Sequence, residues 1–143
     1  MSAAAETGTD RVVRLPVRVY YEDTDAGGVV YYANYLKYLE RARTEWLRAA
    51  GFGQAHLAAQ RNLVFAVRSL QIDYRAPARL DDELDVEARV ARVGRASVDF
   101  AQSVRRDGAL LCAARVRVAC LDASGFRPAA LPPDLKEVFA VVD

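Results

Sequence analysis

Histidine is nearly missing from this chain: His56 is the single one in 143 residues. A Ser-His-Asp or Cys-His nucleophilic site would have to use it, and no nucleophile elbow accompanies it. Cysteine is scarce too. Cys112 and Cys120 are the two present, and both fall in one strand-like run. At ~3.3 Å per residue their Cα atoms stand roughly 26 Å apart, far outside disulfide reach. Neither has metal-ligand spacing, so they read as buried thiols in a reducing compartment. Long apolar runs are absent: nothing approaches the ~18 residues of a membrane span. The opening MSAAAETGT has neither the basic start nor the apolar block of a signal peptide, and residues 1–10 are expected to form a disordered tail. A cytoplasmic location is the expectation. A charge excess is missing as well. The net charge of +1 gives no reason to expect nucleic acid or an anionic membrane as partner.

What is present suits one globular domain over residues 11–143, with 52% apolar residues. Residues 12–21 alternate as a strand, with Val13, Leu15, Val17 and Val19 on one side and Pro16 suggesting an edge. Residues 33–50 read as the long helix. Tyr35, Leu39, Ala42 and Trp46 recur at helical spacing, and Tyr38, Leu47 and Ala49 widen the stripe. Asn34 suits the first turn and Gly51 the left-handed stop. A stripe this wide needs a sheet to cover it. After a short helical piece at 54–60, four β-like runs supply one: 63–74, 83–93, 96–105 and 109–121. Tight turns join the later ones, including Asp107-Gly108, so those strands are antiparallel. Residues 132–139 read as a short terminal helix with Pro in its first turn. The fold class is α+β, one central helix wrapped by an antiparallel sheet of about five strands.

The chemistry concentrates at the junction of the first strand and the long helix, Tyr21-Glu22-Asp23-Thr24-Asp25-Ala26-Gly27-Gly28-Val29-Val30-Tyr31-Tyr32. Carboxylates there stand beside a helix N-terminus, whose free N–H groups can hold a developing negative charge. Asp25 reads either as nucleophile or general base, or as a loop Asp forming an Asx-turn. Asp23 and Glu22 read more simply as solvated acids. A calcium loop is excluded, because Gly27 and Asn34 stand where oxygen ligands are needed. The Gly27-Gly28 pair completes no phosphate loop; it lets the backbone turn and a ligand approach closely. Tyr31, Tyr32 and Tyr35 suggest an aromatic mouth or core packing. Glu40 reads either as a second catalytic acid or, more simply, as an exposed or paired helix charge with Arg43 or Thr44 nearby. Arg92, Arg95, Arg105 and Arg106 are read as a cluster around the Gly94 turn and the hairpin that follows, either a solvated basic turn or a site suited to phosphate.

The run from Tyr21 to Tyr35 resembles the hotdog-fold acyl-CoA thioesterases, nearest to the subfamily associated with the Tol-Pal system and next to 4-hydroxybenzoyl-CoA thioesterase. The likeness continues through Glu40-Arg-Ala-Arg-Thr-Glu-Trp46 and Tyr74-Arg-Ala-Pro-Ala-Arg-Leu-Asp-Asp82, covering residues 12–121. It implies a hotdog fold and hydrolysis of an acyl- or aroyl-CoA to free acid and CoA, with no metal or other cofactor. It also implies homo-oligomers, dimers or dimers of dimers (a homotetramer), with sites at the subunit interface. Asp25 matches the catalytic acid and Tyr32 the residue whose backbone amide binds the thioester oxygen. Gly28, Val29, Tyr31, Arg92 and Arg95 fall to substrate binding, Arg95 at the nucleotide end of CoA. The Tol-Pal-associated enzymes usually carry His where this chain has Tyr32, so a backbone role is kept and imidazole assistance is not. Three rivals stand beside this reading: a hotdog module that binds acyl-CoA or acyl-carrier protein without turnover, a hotdog dehydratase, and a purely structural oligomer that neither binds nor turns over. The dehydratase lacks its usual histidine here.

Overall fold

A computed structural model describes residues 11–140; the tail assigned to residues 1–10 lies outside the described residues. Strand β1 (Val13–Arg18) leads through a loop into helix α1 (Asn34–Ala49), then helix α2 (Gln54–Arg61). Strands β2 (Leu63–Tyr74), β3 (Glu83–Val93), β4 (Ser97–Arg106) and β5 (Ala109–Asp122) follow, and helix α3 (Pro133–Phe139) comes last. The strands form one antiparallel sheet in the order β1-β3-β4-β5-β2. Pro16 is tolerated because β1 is an edge strand. β1 is shorter than its alternating pattern, since Tyr21–Asp23 turn into a 3₁₀ helix.

Helix α1 lies across the sheet. Its Tyr35, Tyr38, Leu39, Ala42, Trp46 and Leu47 are buried, whereas Ala49 is exposed and falls outside the stripe expected for it. They meet inward-facing residues of the sheet such as Val86, Val90, Phe100, Val104 and Val116. Bulges in the β2–β5, β3–β4 and β4–β5 ladders help bend the sheet around the helix. Gln102 is the polar exception on the inner face. Its amide nitrogen donates to Leu39 O at 3.0 Å and its oxygen accepts from Arg43 at 3.0 Å, so its burial leaves nothing unpaired. Phe139 of α3 stacks on Trp46 with centroids 5.3 Å apart, closing the core from the far side.

The local chemistry explains where elements stop. Gly51 takes a φ of +94° after α1. Its N–H reaches Arg48 O while the Phe52 N–H reaches Leu47 O, the paired bonds of a Schellman end. Asp107 and Gly108 both have positive φ, as a two-residue hairpin between β4 and β5 requires. Cys112 and Cys120 lie buried and unpaired on β5. Burial pushes the Cys112 thiol up to about 11, so it is no nucleophile at neutral pH.

Candidate active site

The loop between β1 and α1 is built around Asp23, which the sequence reading left to solvent. Its carboxylate accepts from the Tyr20 N–H at 2.9 Å, and its carbonyl accepts from both the Tyr31 N–H and the Asn34 side chain at 2.9 Å. Asn34 thus ties the start of α1 back to the loop instead of capping the helix. The Tyr38 hydroxyl is buried beside the same carboxylate; burial first, then the Asp23 charge, pushes that phenol far up.

Asp25 sits at the exposed tip. Its Oδ1 accepts from the Gly27 N–H at 2.9 Å, an Asx-turn that fixes the carboxylate and leaves Oδ2 uncommitted. The Asp25 N–H donates to Val29 O at 2.9 Å, and Gly28, at φ +78°, donates to Asp25 O at 3.0 Å. A side chain at Gly28 would be strained in that left-handed conformation. Val29 is half-buried and bridges to Arg79, and Val30 donates to Ala78 O at 2.8 Å. Ala78 in turn donates to the buried Tyr35 hydroxyl at 3.0 Å. The tip therefore rests on a chain of bonds reaching the core.

The first turn of α1 is wound with i→i+3 bonds from Asn34, Tyr35 and Leu36, so its leading N–H groups all point out of the helix end. Among the described residues, the N–H groups of Tyr32 and Ala33 meet no hydrogen-bond acceptor. Beside them the Tyr31 and Tyr32 rings are exposed, 4.9 Å apart. The hydrogen bond to Tyr32 pushes the Tyr31 phenol up. Tyr32, Tyr35 and Tyr74, with Val30 and Pro77, line a cleft of about 270 Å³. Tyr35 belongs to core and cleft at once. Tyr74, which no local sequence pattern singles out, donates its hydroxyl to Tyr32 O at 3.0 Å.

The proposed arginine cluster does not form. β3 is 11 residues long, so its ends lie roughly 33 Å apart at ~3.3 Å per residue. Arg92 and Arg95 are exposed at one end, whereas Arg105 and Arg106 lie at the other, opposite Asp85 and beside Asp82. Hairpin arithmetic accounts for it: residues flanking successive turns alternate between the ends of a meander. Arg106 holds Asp82 at 2.7 Å, and Arg105 lies 3.5 Å from Glu87. Since the Asp25 loop meets the Glu83 end of β3, one chain does not bring Arg92 or Arg95 to it. Glu40 accepts from Thr44 at 2.7 Å, as expected for a helix charge, and His56 is exposed on α2.

Residues 19–139 match the Thioesterase-like superfamily. The acyl-CoA thioesterase YbgC of Haemophilus influenzae is 48% identical over 130 residues, covering 91% of this chain and 96% of that one. The acyl-CoA thioester hydrolase YbgC of Escherichia coli is 47% identical over 127 residues, 88% of this chain and 94% of that one. A crystal structure of a 4-hydroxybenzoyl CoA thioesterase mutant complexed with 4-hydroxybenzoyl CoA superimposes with a TM-score of 0.83 at 23% identity, over 91% and 99% of the two chains. That last likeness is one of fold.

Proposed function

The chain belongs to the thioesterase-like superfamily, with the hotdog architecture, and on that footing we propose that it hydrolyses acyl-CoA thioesters to free acid and CoA. The observation that carries the site assignment is the pairing, in one braced loop, of the oriented Asp25 carboxylate with the unmatched N–H of Tyr32.

As the thioester carbonyl is attacked, its oxygen gains negative charge, which the Tyr32 N–H and the positive end of α1 stabilise; one such donor is worth ~3–4 kcal/mol. Oδ2 of Asp25 then acts in one of two ways. It adds to the carbonyl carbon, the C–S bond breaks, the thiolate leaves and takes a proton, and water hydrolyses the mixed anhydride. Alternatively it removes a proton from water, whose oxygen adds instead. Gly28, Val29 and Tyr31 form the wall at the reacting end. The reading extends to a cytoplasmic homo-oligomer, a dimer or a dimer of dimers, acting on CoA or acyl-carrier-protein thioesters. Support for assembly comes from the β2 edge, where Val67 and Leu70 are 51% and 39% exposed.

A thiol-release screen across aryl, short-chain and long-chain acyl-CoAs tests the activity. Asp25→Asn is expected to lower kcat at least ~100-fold with fold and oligomer intact. Near-full turnover in that variant would remove Asp25 from the mechanism, and saturable binding with no thiol released by the unmodified protein would favour a binding module.

A further inference from the structure

Residues 75–82, between β2 and β3, belong to no helix or strand, yet the Asp25 loop hangs from them. Val30 N–H donates to Ala78 O at 2.8 Å, Val29 bridges to Arg79, and Asp25 N–H donates to Val29 O at 2.9 Å. The Asp25 carboxylate is itself held by the Gly27 N–H of the same loop, so tip and carboxylate move together. What fixes residues 75–82 therefore fixes Asp25.

The two ends of this segment are held by backbone. Leu111 is passed over where the β4–β5 register steps from Val104–Cys112 to Arg105–Leu110. Its carbonyl accepts instead from Arg75 N–H at 2.8 Å and Ala76 N–H at 3.2 Å. At the other end Asp81 N–H donates to Val19 O at 3.0 Å and Val19 N–H to Asp82 O at 2.9 Å. The middle, which carries the loop, has an ionic anchor. Arg106, the last residue of β4, donates Nη1 to the Asp82 carboxylate at 2.7 Å and to Pro77 O at 3.2 Å. The same carboxylate oxygen accepts from Arg79 N–H at 2.8 Å. Pro77 and Arg79, the neighbours of fully buried Ala78, are thus pinched onto one ion pair. Against burial, the Arg79 N–H and the Arg106 guanidinium hold the Asp82 carboxyl below its ordinary range, so the pair is ionised at neutral pH.

We propose that Arg106 and Asp82 are positioning residues for thioester hydrolysis, setting the Asp25 carboxylate through Ala78, Arg79 and Val29 without touching substrate. The inference rests on the thioesterase reading and deepens it. The relay is short: Arg106 to Asp82, Asp82 to the Arg79 N–H, Arg79 to Val29, Val29 O to the Asp25 N–H. A reacting group misplaced by ~1 Å can lose ~100-fold in rate, so a slack anchor is read out as turnover.

Arg106→Met keeps the bulk of the side chain and removes both of its contacts. It is expected to lower kcat about 10-fold with KM within about 2-fold. Arg106→Lys, whose compact ammonium cannot serve both partners as the guanidinium does, should fall between. Arg117→Met is the control for lost stability, because it breaks the Asp99 pair on the outer sheet face and leaves the loop alone; its kcat should stay within about 2-fold. In an Asp25→Asn background, adding Arg106→Met should lower the residual rate less than about 2-fold, since the carboxylate to be positioned is gone. Hydrogen exchange at the Asp25 and Val30 amides should quicken about 10-fold in Arg106→Met and stay unchanged in Arg117→Met. An unchanged kcat, an equal loss in Arg117→Met, or a further loss of the same size on Asp25→Asn overturns the positioning role, as does unchanged amide exchange. Should Arg106→Met not fold, Arg106→Lys carries the same comparisons. If the unmodified protein releases no thiol from any thioester, the thioesterase reading fails, while amide exchange still decides whether the pair holds the loop.

Discussion

The Tyr74 hydroxyl donates to the Tyr32 carbonyl at 3.0 Å, joining the last residue of β2 to the turn that leads into α1. In a planar trans peptide the carbonyl and the following N–H point opposite ways. Holding Tyr32 O therefore aims the Ala33 N–H, and with it the turn that presents Tyr32.

Tyr74→Phe removes this donor and keeps the ring that packs 5.4 Å from Tyr35 and 6.2 Å from Tyr32. Burial raises the Tyr74 pKa, so the hydroxyl remains a donor across the working pH range. A neutral hydrogen bond is worth ~1 kcal/mol net, and kcat is expected to fall about 5- to 10-fold with KM nearly constant. Steady-state kinetics checks it; an unchanged kcat would mean that α1 holds its first turn without β2.

Asp23 and Asp25, two residues apart, are expected to fail in different ways. Asp23→Ala removes the carboxylate that accepts from Tyr20 N–H and leaves the buried Tyr38 hydroxyl without its charged neighbour. A loss of ~1–2 kcal/mol in stability should follow. Asp25→Asn keeps an oxygen for the Gly27 N–H and should leave stability within ~0.5 kcal/mol while turnover collapses. Paired denaturant melts and thiol-release assays separate the two.

That contrast marks where sequence reading reached its limit. Periodicity exposes what a face buries, so α1, the five strands and the Gly51 stop were legible as elements, though β1 ends at Arg18 and Ala49 lies outside the buried stripe. The Asp25 Asx-turn was legible too, because it closes within two residues. Asp23 was not, since its partners Asn34 and Tyr38 come from the helix and only folding brings them together. Tyr74 lies 42 positions from Tyr32, and no local pattern encodes their bond. The arginine cluster misled for a related reason. Proximity along a meander is not proximity in space when a whole strand intervenes.

Acid should find a weak point on the outer sheet face. Asp99 is 6% exposed and takes a two-pronged contact from Arg117, at 2.8 and 3.0 Å. The hydrogen bonds from Arg117, opposed by burial, hold its carboxyl below the ordinary range near 3.8. A depressed folded-state pKa stabilises above the unfolded value and loses that contribution as pH falls through the folded one. The pair should therefore contribute fully at neutral pH and fade below about pH 4. Arg117→Met strands a buried carboxylate and should cost ~1–3 kcal/mol at pH 7, with less cost at pH 3. Melts of both proteins across that range give the answer, and a pH-independent difference would contradict it.

The β2 edge supplies the last prediction. β2 pairs with β5 on one side, and its other side is the sheet edge, where Val67, Leu70 and Tyr74 are exposed. Soluble proteins blunt such edges with lysine, proline, other charges or bulges; this strand has neither lysine nor proline, and its bulge at Val67–Ser69 and its Arg68 and Asp73 are its only devices. A 12-residue edge that exposes Val67, Leu70 and Tyr74 is a surface for a second copy. Leu70→Lys puts a charge at its centre without touching the core, so the chain should keep its circular dichroism and fall to monomer in sedimentation velocity. Turnover should fall with it, since the proposed site lies where two copies meet. An assembled, fully active Leu70→Lys protein would show that copies meet through another face.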